Sequence, residues 1–151
     1  MRTPLRTIYL STAIWSGRGL ASGLYYRELT RTHEFMAKTQ LATTHTHFLA
    51  LGLLLGLILL LLEHSFRLSE NRKLFAWTIG LWHAGLALTA GMQAVKGTLQ
   101  VLGSGLATSK ALAGISGLGH MLLTAMVVVL FIGLGRRLAV VAPAGAAEVA
   151  A

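Results

Sequence analysis

The chain contains no cysteine and no aspartate, only two prolines and only five acidic residues, all glutamate. Without cysteine there are no disulfides, no thiolate metal ligands and no thiol nucleophiles. Without aspartate a Ser–His–Asp constellation is excluded, and Ser11, Ser16, Ser22 and Ser116 read as packing hydroxyls. Charge is scarce as well, at 12% of 151 residues against roughly 25% in soluble domains. What remains is 54% hydrophobic with 17 glycines, so the formal charge of +8 does not argue for nucleic acid.

Four apolar runs hold most of the sequence: 7–26, 41–62, 74–95 and 112–134. A bilayer core of about 30 Å needs about 20 helical residues, and each run meets that length. The reading is an all-α, integral membrane four-helix bundle threaded up-down-up-down, one domain over 1–139, with 140–151 an unstructured tail. The first run is read as a retained span and not a cleaved leader, because Arg18 lies inside it and no small-residue cleavage pattern follows. The connection 96–110, with Gly97, Gly103, Ser104 and Gly105, reads as a flexible loop.

Basic residues set the orientation. With the N-terminus inside, Arg2, Arg6, Arg67, Arg72, Lys73, Arg136 and Arg137 lie inside, and Arg27, Arg31, Lys38, Lys96 and Lys110 outside. That bias puts both termini in the cytoplasm of a bacterial inner membrane. The expected surroundings are the lipid bilayer and no nucleic acid, with a second copy or a membrane redox partner as candidate neighbours.

The histidines carry the chemical signal. His33 and His64 fall in polar connections, but His45, His47, His83 and His120 fall inside spans, where an imidazole needs a partner or the bundle interior. Counted at 1.5 Å per residue from one surface, His45, His47, His120 and His83 lie about 6, 9, 12 and 18 Å deep, and Arg18 about 13 Å. They form one layer within the error of the helix ends. Residues two apart diverge by about 200° on a helix, so only one of His45 and His47 faces a common centre. The glycine face shared with Gly52 and Gly56 favours His45. His83 lines up with Gly80, Ala87 and Ala90, and His120 with Ala113, Ser116, Gly117 and Thr124. Stripes of small residues leave room for a flat cofactor or bring helix backbones together.

Imidazoles without thiolates suit haem iron, copper or zinc. A bis-histidine haem b fits a four-helix frame, with His83 and His120 as axial ligands and His45 or His47 as the competing source of one. Arg18, Tyr25, Gln93 and Thr124 are the candidate donors around it. Arg18 has no carboxylate mate at its depth, which suits a propionate. A zinc hydrolase lacks a general base, and a proton path lacks an intramembrane carboxylate. The expected role is electron transfer or redox or gas sensing, with no enzymatic reaction assigned. The alternatives are a cofactor-free structural or assembly protein with the Gly52, Gly56 pair and Gly17 and Gly19 as helix contacts, a copper or zinc site, or a small-solute or proton pathway.

Two resemblances follow from short motifs. YYREL at Tyr25–Leu29, TQLATTHTHFLALG at Thr39–Gly52, QVLG at Gln100–Gly103 and SGLGH ending at His120 resemble an uncharacterised bacterial family of small membrane proteins. The resemblance covers the chain apart from its tail, and implies four membrane helices and no reaction. HTHFLALG at His45–Gly52 is similar, more distantly, to the haem-ligating helix of haem-copper oxidases and nitric oxide reductases. That likeness implies a haem histidine at His45 or His47, without oxidase activity.

Overall fold

In the computed structural model, which describes residues 3–149 and side chains of 3–140, the chain is all α-helix. Four long helices follow one another: α1 Thr3–Thr32, α2 Leu41–Phe66, α3 Arg72–Val101 and α4 Lys110–Val149. The expected tail therefore continues α4 as far as Val149, and residues 150–151 lie outside the described part. Arg2, used above to judge orientation, also lies outside it.

Three of the helices, α2, α3 and Lys110–Val140 of α4, are long and apolar enough to cross a membrane. Only 22%, 33% and 17% of the most apolar window of each is buried inside the protein. So large an outward apolar surface is unfavourable in water and favourable in lipid, and the chain is a multi-pass membrane protein. Leu20, Leu61, Met121 and Phe131 are among the large apolar side chains turned outward.

Helix ends are closed by local chemistry. At the end of α3, Ser104 N–H donates to Leu99 O (2.9 Å) and Gly103 N–H to Gln100 O (3.2 Å), with Gly103 at φ +66° as this left-handed cap requires. The buried Glu63 accepts from the Ser69 amide (2.9 Å) and hydroxyl (2.6 Å), tying the α2–α3 turn to the end of α2. The loop before α2 is held to α3 by Gln100 Oε1, which accepts from Gln40 N–H (2.8 Å) and the Thr39 hydroxyl (3.1 Å).

Small residues decide which helices touch. A Cβ on Gly52 would sit 2.6 Å from Trp15 Cβ, and one on Gly56 would collide with Thr12, so the GxxxG pair is used within the chain, against α1. Gly19 meets Leu49 and Phe48 in the same antiparallel seam. Gly85 packs on Leu123 and Gly119 on Thr89, forming the α3–α4 contact. Trp82, Leu86 and Ala90 of α3 fill the centre, with Leu59 and Met126 around them. Inside α2, Phe48–Leu54 is wound as a π-helical segment, and Trp82 Nε1–H donates to Leu51 O at 2.6 Å. A wide turn leaves a backbone carbonyl to be reached from a neighbouring helix, and the indole reaches it.

Gly52→Ala places a methyl where Trp15 cannot retreat, and is expected to destabilise the bundle by about 1–3 kcal/mol. Gly80→Ala, with open space at that position, is expected to leave the melting temperature in mild detergent unchanged or raised. Thermal unfolding of both variants checks the seam.

Candidate functional site

His83 projects from α3 towards α1. Trp15 Nε1–H donates to its Nδ1 at 2.8 Å, with the Trp82 ring centroid 4.9 Å and the Trp15 ring centroid 5.8 Å from that of the imidazole, each plane inclined by 29°. Phe48 extends the stack on Trp15 at 5.6 Å. Because the Nδ1 lone pair accepts the indole proton, the neutral ring carries its own proton on Nε2. A metal-ligating histidine is wired the other way, donating one ring N–H to a carbonyl or carboxylate and offering the second nitrogen bare.

Arg18 lies over the other part of this group, its guanidinium carbon 4.8 Å from the Trp15 ring centre. The exposed arginine has an aromatic face as its neighbour.

His45 and His47 diverge as the helix geometry requires. His45 lies beside Gly23 of α1, and its buried Nδ1 has no partner among the described residues. It does share the glycine face, but that face packs on α1 and not on a common centre. His47 instead reaches α3: its Nδ1 is 3.0 Å from Thr43 O and its Nε2 3.1 Å from Gln93 Nε2. The two contacts fix one tautomer, with Nδ1–H donating to the carbonyl and Nε2 accepting from the Gln93 amide. Gln93 Oε1 and Thr89 Oγ1 are buried without partners.

His120, the second expected axial ligand, lies on the outer face of α4. Its ring is exposed on α4, with Nδ1 3.1 Å from Ser116 O. The face of α4 that packs inward carries Gly119, Met126 and Leu130, one residue out of step with the Ala113–Gly117–His120–Thr124 stripe. At this level Gly85 and Thr89 of α3 meet Leu123 and Gly119 of α4 directly. Between His83 and His120, α3 and α4 are thus in close contact. The other expected donors stay apart too: Tyr25 Oη pairs with Thr98 Oγ1 (3.1 Å), and the Thr124 hydroxyl donates to His120 O (3.0 Å). Among the described residues no three histidine or glutamate side chains converge as a metal site.

The family described as a protein of unknown function, DUF2871, matches residues 5–137. The chain belongs to this family. No curated protein and no solved structure matches it, so the likeness of HTHFLALG to a haem-ligating helix gains no support from relatives. The family brings no reaction.

Trp15 and Trp82 were not among the candidate residues, yet they organise the layer. Their position was the available signal: in membrane helices tryptophan collects at the interfaces, and these two sit mid-span next to the polar residues.

Replacing Trp15 with Phe leaves His83 Nδ1 without its donor. A double-mutant cycle of Trp15→Phe and His83→Leu is expected to show a coupling of about 0.6–2 kcal/mol by unfolding in detergent. Additive effects would mean the bond contributes nothing.

Proposed function

We propose that the protein is a structural or assembly element of a bacterial inner membrane, holding no cofactor, in which the intramembrane histidines join helices. The observation that carries this reading is the Trp15–His83 bond at 2.8 Å, which occupies the nitrogen that a ligating histidine would turn to a carbonyl. The His47–Gln93 contact does the same work between α2 and α3. The excess of basic residues at the N-terminus, the α2–α3 turn and Arg136–Arg137 supports a topology with both termini in the cytoplasm.

Haem b binding with electron transfer or redox or gas sensing is the second reading, and copper or zinc shares its main support. His47 and His120 each present Nδ1 to the carbonyl four residues earlier, which is half the wiring of a ligating imidazole, although His47 Nε2 would first have to leave Gln93.

Purification in mild detergent separates the readings. The structural reading expects no Soret band, no metal, and a melting temperature that hemin leaves unchanged. Haem binding at a hundredfold excess over its dissociation constant would add about 2.7 kcal/mol of stability. One haem per chain with a sharp Soret band, lost on replacing His47 or His120, would overturn it.

Because the chain has no cysteine, single introduced cysteines report topology cleanly. In intact cells a membrane-impermeant maleimide is expected to label His33→Cys and to spare His64→Cys until the membrane is opened. The opposite pattern reverses the orientation.

A further inference from the structure

The bundle has one strongly cationic cleft, and the histidine layer plays no part in it. The start of α3 and the far part of α4 enclose an open cleft of about 520 Å³ lined by Glu70, Asn71, Arg72, Lys73, Arg136 and Arg137. Four cations stand there against one carboxylate, and that carboxylate is already engaged. Arg137 Nη1 contacts Glu70 Oε2 at 2.6 Å while Arg137 Nε–H donates to Phe66 O at 2.7 Å. Arg137 is thereby a wall of the cleft, pinning the α2–α3 turn to α4. Among the described residues no carboxylate pairs with Arg72, Lys73 or Arg136, which are all exposed.

The cleft lies where the apolar part of two spans ends. Trp77, one turn beyond Lys73 on α3, is exposed (64%), as an aromatic at the headgroup boundary should be. Phe131 and Ile132 of α4, about one turn from Arg136 on the apolar side of it, are also exposed. A ligand here meets three unneutralised cations at its head and apolar side chains alongside. That combination matches an anionic phospholipid, whose phosphodiester is charged and whose chains continue along the helices; free phosphate would use only the cations.

We propose that this cleft binds the headgroup of an anionic phospholipid, with Arg72, Lys73 and Arg136 as its phosphate contacts and Arg137 as the residue that shapes it. The site is independent of the functional reading above, and it predicts which lipid stays with the protein whether or not a cofactor binds.

Trp77 supplies the measurement on the unmodified protein, since Trp15 and Trp82 are buried (5% and 0%). In vesicles of phosphatidylcholine, a small fraction of phosphatidylglycerol brominated near the headgroup end of its chains is expected to quench Trp77 more than brominated phosphatidylcholine at the same fraction. The excess is expected to shrink as salt rises, and to vanish in Trp77→Phe, which assigns the signal. Arg72→Gln with Arg136→Gln is expected to weaken the preference by roughly fivefold for each charge removed. Equal quenching by the two lipids in the unmodified protein would overturn the site, whatever the folding of the variants. So would an unchanged preference in a folded double variant. Loss of the preference on adding inorganic phosphate at matched ionic strength would assign the cleft to free phosphate and overturn the lipid.

Discussion

A polar group in the bilayer core has no water to turn to, so its partner must be supplied by the protein. That constraint explains more of this structure than hydrophobic burial does, because lipid is as apolar as leucine and gives the helices little reason to associate. The contacts that set helix against helix are accordingly of two kinds. One is close approach over glycine, at Gly19, Gly52 and Gly56 on the α1–α2 seam and at Gly85 and Gly119 between α3 and α4. The other is a polar bond across helices: Trp15 to His83, Gln93 to His47, Trp82 to Leu51 O and Tyr25 to Thr98. The second kind links α1 to α3, and between α2 and α3 it adds to the close approach of Gly97 to Leu41.

The helices were legible in the sequence because length and composition suffice to define them. The faces were less so. In water an apolar stripe marks the core, but in lipid both sides of a helix are apolar, and only small or polar residues distinguish them. With 17 glycines, stripes of small residues exist on more than one face. On α4 the stripe through Gly117 and His120 looked like the packing face, while the one through Gly119 packs. One residue of phase, about 100° on the helix, separates the two. On α2 the same reasoning placed His45 with Gly52 and Gly56 on one face. What that count could not supply was which neighbouring helix the face meets.

Tertiary partners were legible only where a residue type was out of place. The histidines stood out for that reason, but an indole in mid-span is nearly as anomalous, since its N–H must be satisfied too. Pairing the two anomalies on α1 and α3 would have led to the Trp15–His83 bond. Arg18 was puzzling as a charge without a carboxylate, and the Trp15 face at 4.8 Å gives it a neighbour needing no anion. Trp15 thus serves three groups at once, with its N–H on His83, one face towards Phe48 and its ring beneath Arg18.

α1 is the helix on which the membrane reading turns, because it is not in the set long and apolar enough to cross a membrane by composition alone, its apolar run being diluted by Arg18 and by serine, threonine and glycine. Its contacts place it all the same. Thr12 meets Gly56, Trp15 meets Gly52, and Gly23 meets His45, a steady antiparallel register along most of α2. A helix held in that register shares the depth of the span it is packed against. By the same register Arg18 lies level with Ala50, about one turn from His47, while the apolar stretch from Leu53 to Leu62 lies beside the first half of α1. The charge is accommodated by what lies next to it on α1 itself, the Trp15 ring 4.8 Å from the guanidinium carbon, with the polar end of α2 beginning at His47 about one turn away.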